Sequence, residues 1–180
     1  LWSRAYENMA LTIGYKQTIS QPYIVARMTE HLISHTSRRG KVLNQVLEIG
    51  SGCGYQSAVL SHFANDVFAV ERIKPLVLKS RENLRDLKIR NVEVKHANGF
   101  DGWEESKKFD GIICAAAPRK YPEELLELLE IGGKLVIPAG NEGEQKLYVI
   151  TKISDTENEE IIHEDVAFVP MLPGISNGEI

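Results

Sequence analysis

The chain has 180 residues, the size of one ordinary domain, and its 43% hydrophobic content supplies a substantial core, which excludes global disorder. Lys and Arg number 21 against 25 Asp and Glu, a formal charge of -4, so no basic excess exists to neutralise a run of nucleic-acid phosphates. Apolar runs such as 112–117 fall far short of the roughly 20 residues of a membrane-spanning helix, and two cysteines, Cys53 and Cys114, are too few for a stapled secreted scaffold. Neither nucleic acid nor membrane is therefore an expected partner, and a monomer in a reducing compartment, the cytoplasm, is the expectation.

Leu1 to Glu7 has no basic region followed by an apolar core and a small-residue cleavage site, so it does not read as a signal peptide, and the lack of an initial Met leaves open that the chain is trimmed. Tyr6 to Gln21 shows no sustained periodicity and is expected to be a loop that feeds a helix. Pro22 suits the first turn of that helix, and Ile24, Met28 and Leu32 at four-residue spacing, widened by Val25 and Ile33, mark its buried face, with an end expected between Ser34 and Arg39. Val46 to Ile49 predicts a strand that enters the glycine-rich turn Gly50-Ser51-Gly52-Cys53-Gly54 and then a helix over Tyr55 to Phe63. Val67 to Val70 predicts the next strand, stopping at Glu71, before a helix whose face carries Leu76, Val77, Ser80, Leu84 and Leu87.

Asn91 to Val94 predicts a third short strand, and Gly111 to Ala116, apolar throughout, reads as a central strand covered on both faces. Tyr121 to Leu129 has a helical pattern, Ile131-Gly132-Gly133 reads as a turn, and Lys134 to Ile137 as a strand. Gln145 to Ile153 and Ile161 to Val169 complete the pattern as a strand pair joined by a polar hairpin connection, and Ser176 to Glu179 reads as a solvated terminus. The sum is an α/β fold with an open, doubly wound, mostly parallel sheet of about seven strands and an antiparallel C-terminal pair.

The strongest chemical signal is the glycine turn between the first strand of this pattern and its helix, because glycine permits positive φ and close approach of a ligand to the backbone. Glycines at positions 50, 52 and 54 do not match the dinucleotide pattern G-x-G-x-x-G, whose third glycine falls at Tyr55, and no triphosphate loop G-x-x-x-x-G-K-[ST] is present. Glu71 at the end of the second strand suits both hydroxyls of a ribose. Glu48 is placed to meet the amino-acid end of a ligand, directly or through water. Asn98, in the connection His96 to Trp103, offers amide groups near an adenine, although Asn98-Gly99 also fits a plain turn, and Trp103 fits either a ligand wall or the core. The histidines 31, 35, 62, 96 and 163 show no ligand spacing, so no catalytic metal is expected.

These residues resemble the protein-L-isoaspartate O-methyltransferase family over nearly the whole chain. The resemblance is carried by Gly14-Tyr15-Lys16-Gln17-Thr18-Ile19-Ser20-Gln21-Pro22-Tyr23, by Val46 to Gln56, by Val70-Glu71-Arg72-Ile73 and by Phe168-Val169-Pro170. The glycine turn alone marks only the broad S-adenosylmethionine-dependent class, whereas Gln17 to Ser20 before Pro22, combined with Phe168 to Pro170, separates this family from most methyltransferases. It implies a sheet of the S-adenosylmethionine methyltransferase type and methyl transfer from S-adenosyl-L-methionine to the free carboxylate of L-isoaspartyl residues in damaged peptides and proteins. S-adenosyl-L-homocysteine leaves, and the ester decays through a succinimide.

By resemblance Gly50, Gly52 and Gly54 hold the methionine and ribose, Glu71 the ribose and Asn98 the adenine, with Glu48, Ser51, Tyr55, Gln56, Arg72 and Gly99 completing the cofactor set. Ser20 stands beside the substrate carboxylate as the catalytic candidate, and Thr18, Ile19, Gln21, Val169 and Pro170 bind the peptide. The chain departs from the family at Asn98, where an acidic residue is usual, and at Lys16, where glycine is usual. If position 16 needs positive φ, lysine strains the loop. The resemblance also implies one domain over residues 1–180, in which 1–22 form an N-terminal cap and substrate loop preceded by further helical sequence. Open alternatives are a small-molecule methyltransferase, a dinucleotide-dependent oxidoreductase, which the glycine spacing disfavours, and a regulatory module that binds S-adenosylmethionine without turnover.

Overall fold

The structure is a computed structural model that describes residues 4, 6–34, 42–103 and 107–178; the remainder of the expected N-terminal cap, His35, the expected helix-ending segment beyond Ser34, and Glu179 lie outside the described residues, and the first helix ends at Ile33 with Ser34 as its C-cap. In chain order the elements are β1 (Leu11–Gly14), β2 (Gln17–Ile19), α1 (Pro22–Ile33), β3 (Leu43–Ile49), α2 (Tyr55–Leu60), β4 (Ala64–Glu71), α3 (Lys74–Asp86), β5 (Val92–His96), β6 (Phe109–Cys114), α4 (Glu124–Glu127), β7 (Leu129–Ala139), β8 (Lys146–Lys152) and β9 (Asn158–Asp165). One sheet has the order β5-β4-β3-β6-β7-β8-β9, parallel from β5 through β7 and antiparallel at β7–β8 and β8–β9. The chain winds from β3 outward to β4 and β5, then returns past β3 to β6, so the crevice between β3 and β6 is a topological switch point, where open α/β sheets bind ligands.

Alternation along the central strands sorts their side chains between the two faces. Leu47, Ile49, Ile112, Cys114, Leu135 and Ile137 join Phe68, Phe109, Trp103 and Leu125 on one face. Val46, Ile113 and Val136 meet Ile24, Met28 and Leu32 of α1 and Leu60 of α2 on the other. Large side chains such as Phe109, Leu47, Ile112 and Met28 are fully buried, a burial that stabilises by about 1.5–3 kcal/mol each. Helix α1 packs this closely because position 111 is glycine: a Cβ there would stand 2.7 Å from Leu32 Cδ1. Trp103 belongs to the core, edge-on to Phe68 with ring centroids 5.2 Å apart.

Several local expectations are corrected. Tyr6 to Gln21 is not simply a loop, for it contains the antiparallel hairpin β1–β2, turned by Tyr15 and Lys16 at φ of 53° and 56°. The expected helix over Tyr121 to Leu129 shrinks to α4, because Leu128 O already accepts Phe109 N–H and Leu129 pairs with Phe109 in the sheet. Ile131-Gly132-Gly133 is consequently an irregular stretch inside β7 and not a free turn. The last strand ends at Asp165 rather than Val169; past it the side-chain amide of Gln145 takes the place of a strand neighbour, its Oε1 accepting Phe168 N–H at 2.6 Å and its Nε2 donating to Phe168 O at 3.1 Å. Ser176 is no solvated end, since its N–H donates to Arg72 O at 2.7 Å and its carbonyl accepts Lys74 N–H at 2.9 Å.

Candidate active site

The floor of the cleft is made by the carboxyl ends of β3, β4 and β6. Gly50 and Ser51 N–H both donate to Val70 O, at 2.8 and 3.2 Å, and Ala115 N–H donates to Ile49 O at 2.8 Å, so the turn leaving β3 stays stitched to its neighbours. Gly54 caps α2 in the left-handed region at φ 88°, and a Cβ there would meet Ser80 Oγ at 2.8 Å, so two constraints converge on glycine. Asn83 of α3 steadies the same turn by donating to Cys53 O at 2.8 Å.

Glu71 is held by its own backbone surroundings. One carboxylate oxygen accepts Gly52 N–H and the other Ile73 N–H, both at 2.9 Å, which fixes the group at the strand end and leaves its remaining lone pairs for ligand hydroxyls. Burial raises its pKa, opposed by those two amides. Glu48 is fully buried on the face toward α2, where Ser57 Oγ donates a short hydrogen bond to its Oε2. Burial pushes its pKa up to about 7, Ser57 lowers it, and the Glu71 charge raises it further. Among the described residues its Oε1 and the Ser51 hydroxyl are buried without a hydrogen-bond partner, although both residues line the cleft. Such orphaned atoms are rare in native interiors. An acceptor and a hydroxyl standing unpaired beside the Glu71 carboxylate fit a ligand that carries an ammonium and hydroxyl groups, as S-adenosylmethionine does.

The roof and far wall come from sequence-distant segments. The hairpin lays Ile13 over the glycine turn, where a Cβ on Gly52 would lie 3.1 Å from Ile13 Cδ1. Thr18, Ile19 and Ser20 line the cleft at the hairpin's exit. Ser20 does not cap α1: the N-cap is Gln21, which provides no side-chain cap, and the Ser20 hydroxyl has no partner among the described residues. Opposite stands Val169–Pro170, pinned to the end of β6 because Ala117 N–H donates to Val169 O and Met171 N–H donates to Ala117 O, each at 2.9 Å.

Most candidates from the sequence therefore meet in one cleft: Thr18, Ile19, Ser20, Glu48, Gly50, Ser51, Gly52, Tyr55, Gln56, Glu71, Arg72, Gly99, Val169 and Pro170. Gly54, Gln21 and Asn98 are not in its lining. Gln21 faces an adjoining groove with Thr18, Ser20 and Val169. Asn98 caps a short 3-10 turn, its Oδ1 accepting Phe100 N–H at 3.4 Å and Gly174 N–H at 3.2 Å while its Nδ2 donates to Asp101 at 3.0 Å. Its amide is thus engaged with the C-terminal segment, and Gly99 supplies the surface at that end. The sequence reading missed Ile13, Met171 and Leu172 as lining residues. Leu172 carries no signal in a single sequence, while Ile13 alternates with Leu11 in a strand too short to be recognised. Among the described residues no histidine lines the cleft.

Comparison with known proteins agrees with this geometry. The family model described as protein-L-isoaspartate(D-aspartate) O-methyltransferase matches residues 1–175. A protein-L-isoaspartate O-methyltransferase of Methylobacillus flagellatus is 52% identical over 177 residues, covering 97% of this chain and 77% of its own length. One from Marinobacter nauticus is 49% identical, covering 96% and 75%. Among solved structures, a protein-L-isoaspartate O-methyltransferase of Plasmodium falciparum in complex with S-adenosyl-L-homocysteine superposes with a TM-score of 0.73 at 31% identity, over 93% of this chain and 81% of that one. A second structure of that enzyme name shares the fold at a TM-score of 0.80 and 24% identity. With the glycine turn, Glu71 and the Ser20 loop assembled around one cleft, this chain belongs to the protein-L-isoaspartate(D-aspartate) O-methyltransferase family.

Proposed function

We propose that the chain transfers a methyl group from S-adenosyl-L-methionine to the free carboxylate of L-isoaspartyl residues in damaged peptides and proteins, releasing S-adenosyl-L-homocysteine and an ester that decays through a succinimide. The observation that carries this reading is the meeting of the Thr18–Ser20 loop and Val169–Pro170 with the glycine turn and Glu71 in one cleft. The cofactor supplies an electrophilic methyl on a sulfonium. Gly50 to Gly52 would present backbone to its amino-acid and sugar portion, Glu71 would hold the ribose hydroxyls, and Glu48 Oε1 would meet the ammonium.

The substrate carboxylate, with an ordinary pKa near 3.9, is already ionised at neutral pH, so no residue has to remove a proton. What the chain contributes is alignment of the carboxylate oxygen with the methyl carbon and sulfur. The Ser20 hydroxyl, without an internal partner, donates to the carboxylate and orients it. Apolar walls at Ile19 and Val169 exclude water from the approach. The cytoplasm belongs to the same proposal, supported by both cysteines being free.

The test is a labelled-methyl assay on an isoaspartyl peptide and its normal aspartyl counterpart. Base-labile label on the first and none above background on the second is the expected result. Equal labelling of both, or label stable to base, overturns the reading.

A further inference from the structure

A second cluster of chemistry-bearing side chains lies away from the cleft. His31 stands in the last turn of α1, while His163 and Glu164 are neighbours on the edge strand β9, and one ligand atom from each of the three lies within 4.8 Å of the others. Neighbours on a strand ordinarily face opposite sides. Here the register shifts: Lys146 pairs with Asp165 and Tyr148 with Ile162, so His163 and Glu164 together oppose Leu147 alone. That is a β-bulge, the device that re-aims side chains, and it allows both residues to reach α1.

The two imidazoles lie 4.0 Å apart between centroids, their planes tilted by 40°. Among the described residues His31 Nε2 is buried without a hydrogen-bond partner, a condition that a bound ion would relieve. Glu164 is held in place by Arg27, whose Nε donates to its Oε1 at 3.2 Å and whose other end pairs with Glu30. A carboxylate ligand oriented by an outer partner is the usual arrangement around a bound metal.

We propose that His31, His163 and Glu164 form a site for one divalent transition-metal ion of the zinc type. Two imidazole nitrogens and one carboxylate oxygen are the donor set such ions take, whereas calcium and magnesium prefer oxygen alone. Bonds of about 2.0–2.2 Å bring tetrahedral ligand atoms to about 3.4 Å from each other, so modest side-chain rotation closes the site and leaves a fourth position for water. None of its three residues lines the methyl-transfer cleft. Helix α1 begins directly after Ser20 and Gln21, and β9 leads directly into the segment that carries Val169 and Pro170, so the ion clasps the two elements bearing opposite walls of the substrate groove. No local spacing reveals the trio, because His31 and His163 sit on elements far apart in the chain.

The test is titration of chelator-stripped, tag-free protein with Zn²⁺, read by calorimetry and by a rise in Tm, with Mg²⁺ as comparison. One equivalent of Zn²⁺ is expected. His31→Gln and His163→Gln each weaken binding by at least about tenfold, whereas His62→Gln leaves it unchanged. S-adenosyl-L-homocysteine binding reports that each variant is folded. X-ray absorption of the wild-type zinc complex, independent of any variant, is expected to show two imidazole ligands. No stoichiometric Zn²⁺ binding, equal binding of Mg²⁺, retained affinity in folded His31→Gln, or fewer than two imidazoles on the zinc overturns the proposal.

Discussion

The floor and the roof of the cleft are built by different means. In the floor, β3, β4 and β6 deliver Glu48, Glu71 and the glycine turn from the most buried part of the sheet, and each is fixed by short-range backbone hydrogen bonds or by packing. In the roof, a two-stranded hairpin and the C-terminal segment reach over from distant parts of the chain and are held by a handful of bonds, such as Ser176 N–H to Arg72 O and Gly174 N–H to Asn98 Oδ1. The floor, the half proposed to hold the cofactor, is thus part of the core and stands or falls with the fold, while the roof, the half proposed to hold the substrate, rests on local contacts that open at lower cost. Substitutions in the floor should act on cofactor affinity, and those in the roof on turnover.

The largest expected effect is in the floor. Glu71→Ala removes the ribose acceptors and strands two backbone amides, and charge-assisted hydrogen bonds contribute about 1.5–3 kcal/mol each, so S-adenosyl-L-homocysteine affinity should fall about 100-fold by calorimetry. An unchanged Kd would break the division between halves. Ser20→Ala, in the roof, should lower kcat on an isoaspartyl peptide about tenfold with cofactor Kd intact. A loss in Kd instead would show that the hairpin exit belongs to the cofactor half.

Glu48 sharpens the comparison through pH. The folded protein holds this proton up to pH about 7, whereas the ordinary carboxylate value is 4.5. Its contribution to stability is therefore full below about pH 4.5 and is lost as pH rises through 7. Cofactor binding has the opposite sign, because an ammonium needs the ionised form. Kd for S-adenosyl-L-homocysteine should tighten about tenfold between pH 6 and 8, and Glu48→Gln should flatten that profile. The smallest effect belongs to the hairpin turn. Lys16 does adopt positive φ, at 56°, so Lys16→Gly relieves a left-handed penalty that the flexibility of unfolded glycine partly offsets. The expected net is about 1 kcal/mol or less, a Tm rise of about 2 °C by thermal melting, without change in cofactor Kd.

The same division governs what could be read from the amino-acid sequence. Runs such as Val46 to Ile49 and Val67 to Val70 announce buried strands, and glycines 50, 52 and 54 with Glu71 announce the floor, because burial and backbone geometry restrict which residues fit. The hairpin was illegible: its strands have 4 and 3 residues, and Tyr15-Lys16 lacks the Asn-Gly chemistry by which such turns are recognised. Helix α4 was over-read because the pull of Leu129 into the sheet beside Phe109 is a tertiary effect. The placement of Asn98 on Gly174 depends on a contact between residues far apart in the chain, beyond the reach of any local pattern.

Ala117 has a consequence of its own. Both of its backbone groups are engaged, the N–H by Val169 O and the carbonyl by Met171 N–H, just beyond the strand whose end floors the cofactor cleft. The position of Val169 and Pro170 beside the cleft is thereby set by main-chain rungs that every residue except proline can supply. Met171 adds a buried side chain to those rungs, so the stretch beside the cleft is anchored by backbone and core together.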